Sequence, residues 1–456
     1  MQIGIAVLIF FTLLILSYQM FEGDIVSPSF IFVVMFMLSF FDVLLCLSMW
    51  NTTLALNTLT VLITGATVFV FVSLMIHFVF AKINKTDTKR SIPNKKSEYI
   101  KISTWKMLAF FIFQCVVIFY MQKYIKILMA PYVTDGSLSS AVSMYQYLKK
   151  FTVLQLDFPK ILTYSFVLSS SSSFVWGYVS IHNFYYYRKW DPWVLINLIL
   201  SLGGSFITGS RGVALQAIMT LLVFYVLLYR DGPKKINVRK VLLFPSLLMI
   251  GILVSFRFMA GLLGRDDSLG LFEYVSVYLG APIKNLDTFL NTQTIQNSQF
   301  WGYNTFSMQW KWLSDTFNLN IPATAINTNM QYLNGHNLGN VFTAYKDFIS
   351  DFGYIGAMVC VAVMAIIVGV LYENTKGENK KKLMFKIDWM KLTYAYLVIV
   401  AGFTFFSDKF FETFTVTFIE RILCWILLGY FFCTLVPRRT NLNESKNSTR
   451  NKGDGI

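Results

Sequence analysis

Three arginines and a histidine stand where a strongly apolar chain would carry little charge. Arg211 lies near the end of the glycine-rich segment GGSFITGSRG, residues 203–212, between two short apolar runs. Gly203, Gly204, Gly209 and Gly212 free the backbone there, and Thr208 and Ser210 can cap the helix that follows. Arg211 thus sits at a predicted helix N-terminus, where cation and helix dipole together attract an anion such as phosphate. The alternative is an arginine that snorkels to the lipid surface. Arg257 lies inside the apolar stretch VSFRFMAGLLGRDD and Arg265 just beyond it, where Asp266 and Asp267 could neutralise it. An ionisable group at membrane depth costs at least about 2.5–3.5 kcal/mol, so such residues tend to mark a site or a pathway.

His336, in LNGHNLGN, is the candidate base, because imidazole is the side chain that ordinarily titrates near neutrality; an ordinary loop histidine is the other reading. Just downstream, FTAYKDFISDFGYIG supplies Tyr345, Asp347 and Asp351. The two carboxylates are four residues apart, on one helical face, and could orient His336, receive hydroxyl groups or cap the helix. Asp351 is the reserve base. Glu420 and Arg421 are adjacent in the last apolar run, so each needs a partner elsewhere, and ionic partners on other helices are expected. His77 and His182 read as packing or interface residues.

The elements that must hold these groups are membrane helices. Of 456 residues, 55% are apolar and only 14% charged, with a mean hydropathy of +0.55. Soluble domains carry about 25% charged residues. A soluble enzyme, a disordered chain and a secreted disulfide scaffold are excluded; the cysteines all lie in apolar runs. Eleven apolar spans are predicted, at about 2–20, 29–50, 58–81, 105–128, 161–187, 192–208, 212–229, 241–259, 342–371, 392–407 and 414–435. The first lacks a basic leader and a small-residue cleavage site, so it reads as a retained helix. The serine run at 169–173 should let helices approach closely. The net charge of +15 reads as topology and not as nucleic-acid binding: 25 of the 39 Lys and Arg residues fall in 82–104, 188–191, 230–240, 373–391 and the tail. With eleven spans these segments share one side, which the positive-inside rule makes cytoplasmic, together with the C-terminus and a basic tail at 436–456. An odd count puts the N-terminus outside. The chain reads as one integral membrane domain, 1–456, with a middle-sized loop at 130–160 and one large outward loop at 260–341.

That large loop is rich in Asn, Gln, Thr and aromatics and poor in charge. Planar amides bond hydroxyl pairs and aromatic rings cover the C–H faces of sugars, so a carbohydrate groove is one reading; a lid with its aromatics at the membrane interface is the other. Trp301, Tyr303, Trp310, Trp312, Asn337 and Tyr345 are its candidate lining. No P-loop, GxGxxG, HExxH or DxD pattern occurs. No metal site and no cofactor is expected, and any diphosphate would need arginine as its counter-charge.

Together, TGSRG at 208–212 opening a helix, GHNLGNVFTAYKDFISDFGYIG at 335–356 closing the long loop, and the overall plan resemble the bacterial oligosaccharide repeat-unit polymerases, the Wzy or O-antigen polymerase family. The resemblance implies an all-α polytopic membrane protein of about 11–12 transmembrane helices on a GT-C-like plan, in the bacterial plasma membrane. It implies a metal-independent glycosyltransferase that joins undecaprenyl-diphosphate-linked oligosaccharides, donor and acceptor both lipid-linked, at the outer face, with a chain-length regulator as a further partner. It places Arg211, Arg257 and Arg265 on the diphosphate and His336 or a neighbour on the acceptor hydroxyl. An O-antigen ligase would use the same chemistry. A flippase would need charges lining a path through the membrane.

Overall fold

A computed structural model describes residues 2–86, 98–151, 158–208, 212–231, 270–292, 300–319, 321, 329–376 and 386–436. The predicted span 241–259 and the tail beyond 436 lie outside these residues. The other ten predicted spans are helices: α1 (Gln2–Met20), α2 (Pro28–Cys46), α3 (Leu56–Thr86), α4 (Thr104–Met129), α6 (Lys160–Tyr187), α7 (Pro192–Gly204, continued by a 3-10 turn Ser205–Thr208), α8 (Gly212–Asp231), α12 (Ala344–Thr375), α13 (Trp389–Gly402, continued by a 3-10 turn Phe403–Phe405) and α15 (Val416–Phe432). Six of them, α1, α2, α3, α4, α8 and α12, are long and apolar enough to cross a bilayer; Pro192–Thr208 and Trp389–Phe405 are shorter apolar helices. The protein is an all-α polytopic membrane protein.

Local chemistry sets the helix starts. Pro28 and Pro192 occupy first-turn positions, where their missing N–H costs nothing. The Asp191 carboxylate accepts the Trp193 and Val194 N–H groups at 3.0 and 3.4 Å, and Asp388 accepts that of Lys391 at 3.2 Å. The serine run on α6 is buried throughout. Ser172 and Ser173 return their hydroxyls to the carbonyls of Ser169 and Ser170, both at 2.7 Å, while Gln114 of α4 reaches Ser172 and Trp425 of α15 reaches the Ser171 carbonyl, both at 3.2 Å. Small side chains thus admit α4 and α15 close to α6. Elsewhere aromatic rings fill the core, as in the Phe32–Phe69 stack at 4.0 Å between α2 and α3.

Polar groups collect at the two ends of the bundle. At one end, Arg230 of α8 holds Asp24 at 3.2 Å, Asp231 at 2.7 Å and Thr375 of α12 at 3.2 Å. Lys391 of α13 also pairs with Asp231, and Tyr372 donates to Asp24 at 2.6 Å. Glu373 takes His77 of α3 at 2.8 Å and Lys376 at 3.0 Å. A short antiparallel ladder pairs β1 (Tyr99–Ile102) with β4 (Cys433–Val436), and Asn183 of α6 bonds both the N–H and the carbonyl of Ile100. The described residues of the five basic segments all join this end. At the opposite end lie α5 (Leu138–Phe151), α9 (Leu271–Leu279), α10 (Ala281–Thr292), α11 (Ser307–Phe317), a hairpin of β2 (Gln331–Leu333) and β3 (His336–Gly339), and α14 (Lys409–Thr413). The described parts of both larger loops therefore share a face, as the chain order required.

Glu420 and Arg421 depart from expectation. Neither makes an ion pair among the described residues. Arg421 donates to the Tyr396 hydroxyl at 2.5 Å and lies over the rings of Tyr396 and Phe174, 5.2 and 5.8 Å from their centres. A ring quadrupole and a phenol replace the expected carboxylate.

The shared basic end predicts a labelling pattern. In right-side-out membrane vesicles, an impermeant maleimide should label a cysteine placed at Trp301 and spare one placed at Lys189. Equal labelling of both, or the reverse order, would contradict the assignment of the basic end to the cytoplasm.

Candidate functional site

The cap is bolted to the helices by buried polar clamps. Lys284 of α10 pairs with Asp287 at 2.7 Å and donates to the Thr53 carbonyl at 2.8 Å. Asp287 in turn accepts the Ala55 N–H at 2.8 Å and the Thr58 hydroxyl at 2.7 Å, both at the start of α3. Breaking such a buried pair by removing one partner costs about 3–5 kcal/mol. In the preceding helix, Ser276 of α9 donates to Asp42 of α2 at 3.0 Å, and Ser39 donates to the Leu279 carbonyl at 2.5 Å.

On this base sits the β2–β3 hairpin. Its turn is Asn334–Gly335, both at positive φ, 49° and 85°. Asn-Gly is the pair that tolerates this tight hairpin geometry. The Asn334 amide donates to the Trp50 carbonyl at 2.7 Å, and Asn285 of α10 donates to the carbonyls of Leu338 and Val341 at 3.0 and 2.9 Å. Leu338 is buried with Cys46, Trp50 and Ala281. The hairpin is thereby fixed, and His336 with it.

His336 Nδ1 lies 3.0 Å from Glu273 Oε1, and the two side chains are 30% and 26% exposed. Glu273 is in the first turn of α9, where a carboxylate suits the helix dipole. A carboxylate on Nδ1 fixes the ring's orientation and tautomer, leaving Nε2 as the acceptor. Nε2 makes no hydrogen bond to a described residue. The pair has the form of a general base with its orienting group. Neither Asp347 nor Asp351 orients His336.

Asp351 is engaged elsewhere. It accepts the Asn304 N–H at 3.0 Å, the Asn304 amide at 2.9 Å and the Thr305 N–H at 2.7 Å. It anchors the turn before α11 to α12. Two residues on, Gly353 breaks the helix with φ 68° and ψ −174°, a conformation that would strain any side chain. Gln309 of α11 donates to the Phe411 and Phe414 carbonyls at 2.5 and 3.0 Å and fastens the other side of the turn.

The candidate sugar-binding residues divide. Trp301 is 69% exposed and rests one face near Phe306 and Phe352. Tyr303 packs on Phe300, and the Trp310 indole donates to the Gly302 carbonyl at 3.2 Å. Trp312 lines a cleft of about 350 Å³ with Leu313, Phe414, Val416, Phe418 and Ile419. That lining is apolar and opens beside exposed residues of α15, so it suits a hydrocarbon chain better than a sugar. Asn337 closes the strand by accepting the Gly339 N–H at 2.8 Å. Tyr345 is fully buried, its hydroxyl pressed against Gly65 of α3, where a Cβ would overlap it; it is a core residue away from any open groove. Arg211, Arg257 and Arg265 lie outside the described residues. Glu273 and the Lys284–Asp287 clamp went unread in the sequence.

Asp408 N-caps α14, with Oδ1 accepting the Phe411 N–H at 3.0 Å, while Oδ2 is buried without a hydrogen-bond partner among the described residues. Burial pushes this carboxyl well above its ordinary range; the charges of Asp347 and Glu412 push the same way, and the Phe411 N–H and Lys409 oppose them. No protein-family model matches the chain, and no match is found among curated proteins or solved structures.

The raised Asp408 value fixes a sign. In the unfolded chain this carboxyl loses its proton near pH 3.9, before the folded protein does, so its contribution to stability falls as pH rises through the window above that value. Asp408→Asn keeps a good cap and cannot ionise. It should raise the apparent melting temperature in detergent at pH 7.5, and the gain should shrink steadily as the pH is lowered toward 4. A variant less stable than wild type throughout that range would show that the ionised carboxylate is favourable.

Proposed function

We propose that this chain is a multi-pass glycosyltransferase of the bacterial plasma membrane, C-terminus in the cytoplasm, that polymerises undecaprenyl-diphosphate-linked oligosaccharide repeat units into O-antigen or capsular polysaccharide at the outer face. The observation that carries the reading is the His336–Glu273 pair: a partly exposed imidazole, oriented by a carboxylate, on a cap clamped to membrane helices. Two further features support it. The apolar cleft beside α15 offers a place for a polyprenyl chain next to that cap. In the sequence, the glycine-rich segment 208–212 carries Arg211, a counter-charge suited to phosphate.

In this mechanism an acceptor sugar hydroxyl gives its proton to His336 Nε2 while its oxygen attacks the donor's anomeric carbon. The bond from that carbon to the diphosphate breaks, and undecaprenyl diphosphate leaves with the electron pair. Glu273 stabilises the imidazolium. Arg211, Arg257 and Arg265 are assigned to the charge that builds on the departing phosphate; one preplaced donor of this kind is worth about 2.7–4 kcal/mol of barrier. Base catalysis is worth roughly 10²–10⁴ in rate.

Deleting the gene and sizing the surface glycan tests the function. Loss of long chains with single units retained is the expected result. Loss of all attached glycan would mark a ligase, and an unchanged ladder would end the glycosyltransferase assignment. In the deletion strain, His336→Ala should fail to restore chains at normal protein level, and Glu273→Gln should restore shorter ones. Full ladders from His336→Ala would place the base elsewhere.

A further inference from the structure

The short helix α11 has two unlike faces, and the helices beneath it fix its height. Ser307, Lys311, Ser314 and Asp315 recur at helical spacing and form a polar stripe. The opposite surface carries Met308, Trp312, Leu313 and Phe317, with Gln309 and Thr316 among them. No residue of α11 is buried, and Phe317 is 61% exposed. The turn before α11 hangs on Asp351 of α12, and Gln309 donates to the Phe411 and Phe414 carbonyls just ahead of α15. Past both anchors the membrane helices expose large apolar side chains. On α12 these are Ile355, Val359, Val363 and Ile366, beginning one turn beyond Asp351 with Ile355 at 84% exposed. On α15 they are Val416, Ile419, Leu423, Leu427 and Tyr430. Spacings of three and four put each set on one side of its helix, the side that meets lipid in a membrane protein. The anchors thus hold α11 level with the edge of the hydrocarbon.

The cleft under α11 continues that lipid-facing surface. Trp312 and Leu313 of α11 face Val416, Phe418 and Ile419 of α15 across the cleft of about 350 Å³, a volume within the range of roughly 300–1,000 Å³ usual for ligand sites. Val416 and Ile419 are also the first two members of the exposed stripe on α15, so the cleft runs into the lipid-facing side of that helix. A sugar would find only Gln309 and Thr415 to bond there, and the Gln309 amide already donates to two carbonyls. The apolar face of α11 prolongs the α15 stripe, so what covers the one covers the other. Tryptophan and phenylalanine on one face, with lysine and aspartate on the other, are the composition of a helix lying in a membrane interface.

We infer that α11 lies in the interface of the leaflet on the cap side, its apolar face among the acyl chains and its polar stripe toward water, and that the cleft between α11 and α15 is a side entrance for a lipid chain. On the polymerase reading, on which this second part rests, the polyprenyl tail of the substrate enters there from the bilayer while its headgroup meets the cap. Gln309 sets the roof of the entrance, because its two bonds fix α11 against the residues that lead into α15.

The test places a photo-cross-linking residue, p-benzoylphenylalanine, in the full-length protein, in turn at Trp312, Phe317, Lys311, Asp315 and Ile419. All five positions are exposed, so the substitutions leave the core packing intact. Each variant is reconstituted in vesicles of phosphatidylethanolamine and phosphatidylglycerol, irradiated, and its adducts are weighed by mass spectrometry. Positions 312 and 317 should give phospholipid adducts severalfold above positions 311 and 315. Equal yields from the two faces, or adducts to protein alone, would overturn the interfacial placement whatever the protein's activity. With undecaprenyl diphosphate added to the vesicles, position 419 should give a polyprenyl adduct severalfold above that lipid's share of the mixture. Phospholipid adducts there without such enrichment would overturn the entrance while the placement of α11 stood. Failure of the polymerase reading itself would show in the glycan ladder and would leave the adducts at 312 and 317 unchanged.

Discussion

The controlling constraint is that hydrocarbon offers no hydrogen bonds and no hydrophobic reward for helix contact. Lipid tails are as apolar as leucine, so helices must be held together by close packing and by polar groups that satisfy one another. This chain answers in two ways. Along the middle of the bundle, hydroxyls turn back on their own helix, as in the serine run of α6, or join neighbouring helices at close range. The strong charges are gathered at the ends, where Arg230 and Asp231 knit one face and Lys284, Asp287 and Asp42 knit the other. Everything proposed about function stands on the second face.

That face is built for positioning. A base on a free loop would lose most of its value, because catalytic groups must be held within about 0.5 Å of a productive geometry by locked neighbours. Here the Asn334–Gly335 turn, the Asn285 amide and buried Leu338 hold the hairpin on α2 and α10, and Glu273 holds the ring. Asp351 serves the same end indirectly. Its bonds to residues 304 and 305 are occupied in keeping the aromatic loop against α12, which makes it a poor reserve base and a strong anchor.

The membrane spans were legible because runs of apolar residues and clusters of Lys and Arg are long-range signals that survive without knowledge of packing. The site was legible only in part. His336 could be found from its residue type, but its partner could not, because Glu273 lies 63 positions away and only the fold joins them. The Asn-Gly hairpin signal was present in LNGHNLGN and would have revealed the turn. Tyr345 stands among the candidates by its place just after the long loop, and its burial against Gly65 of α3 is a packing fact that residue type and position do not carry. Arg421 shows a related blind spot: charge predicts an opposite charge, yet aromatic rings and a phenol can serve in its place.

The most direct measurement is glycan transfer by the purified protein. Reconstituted in proteoliposomes with undecaprenyl-diphosphate-linked repeat units on the accessible leaflet, and with no added metal, the protein should release undecaprenyl diphosphate and build a ladder of lengthening lipid-linked chains. Movement of the repeat units between leaflets without any new glycosidic bond would contradict the account and make the protein a translocator.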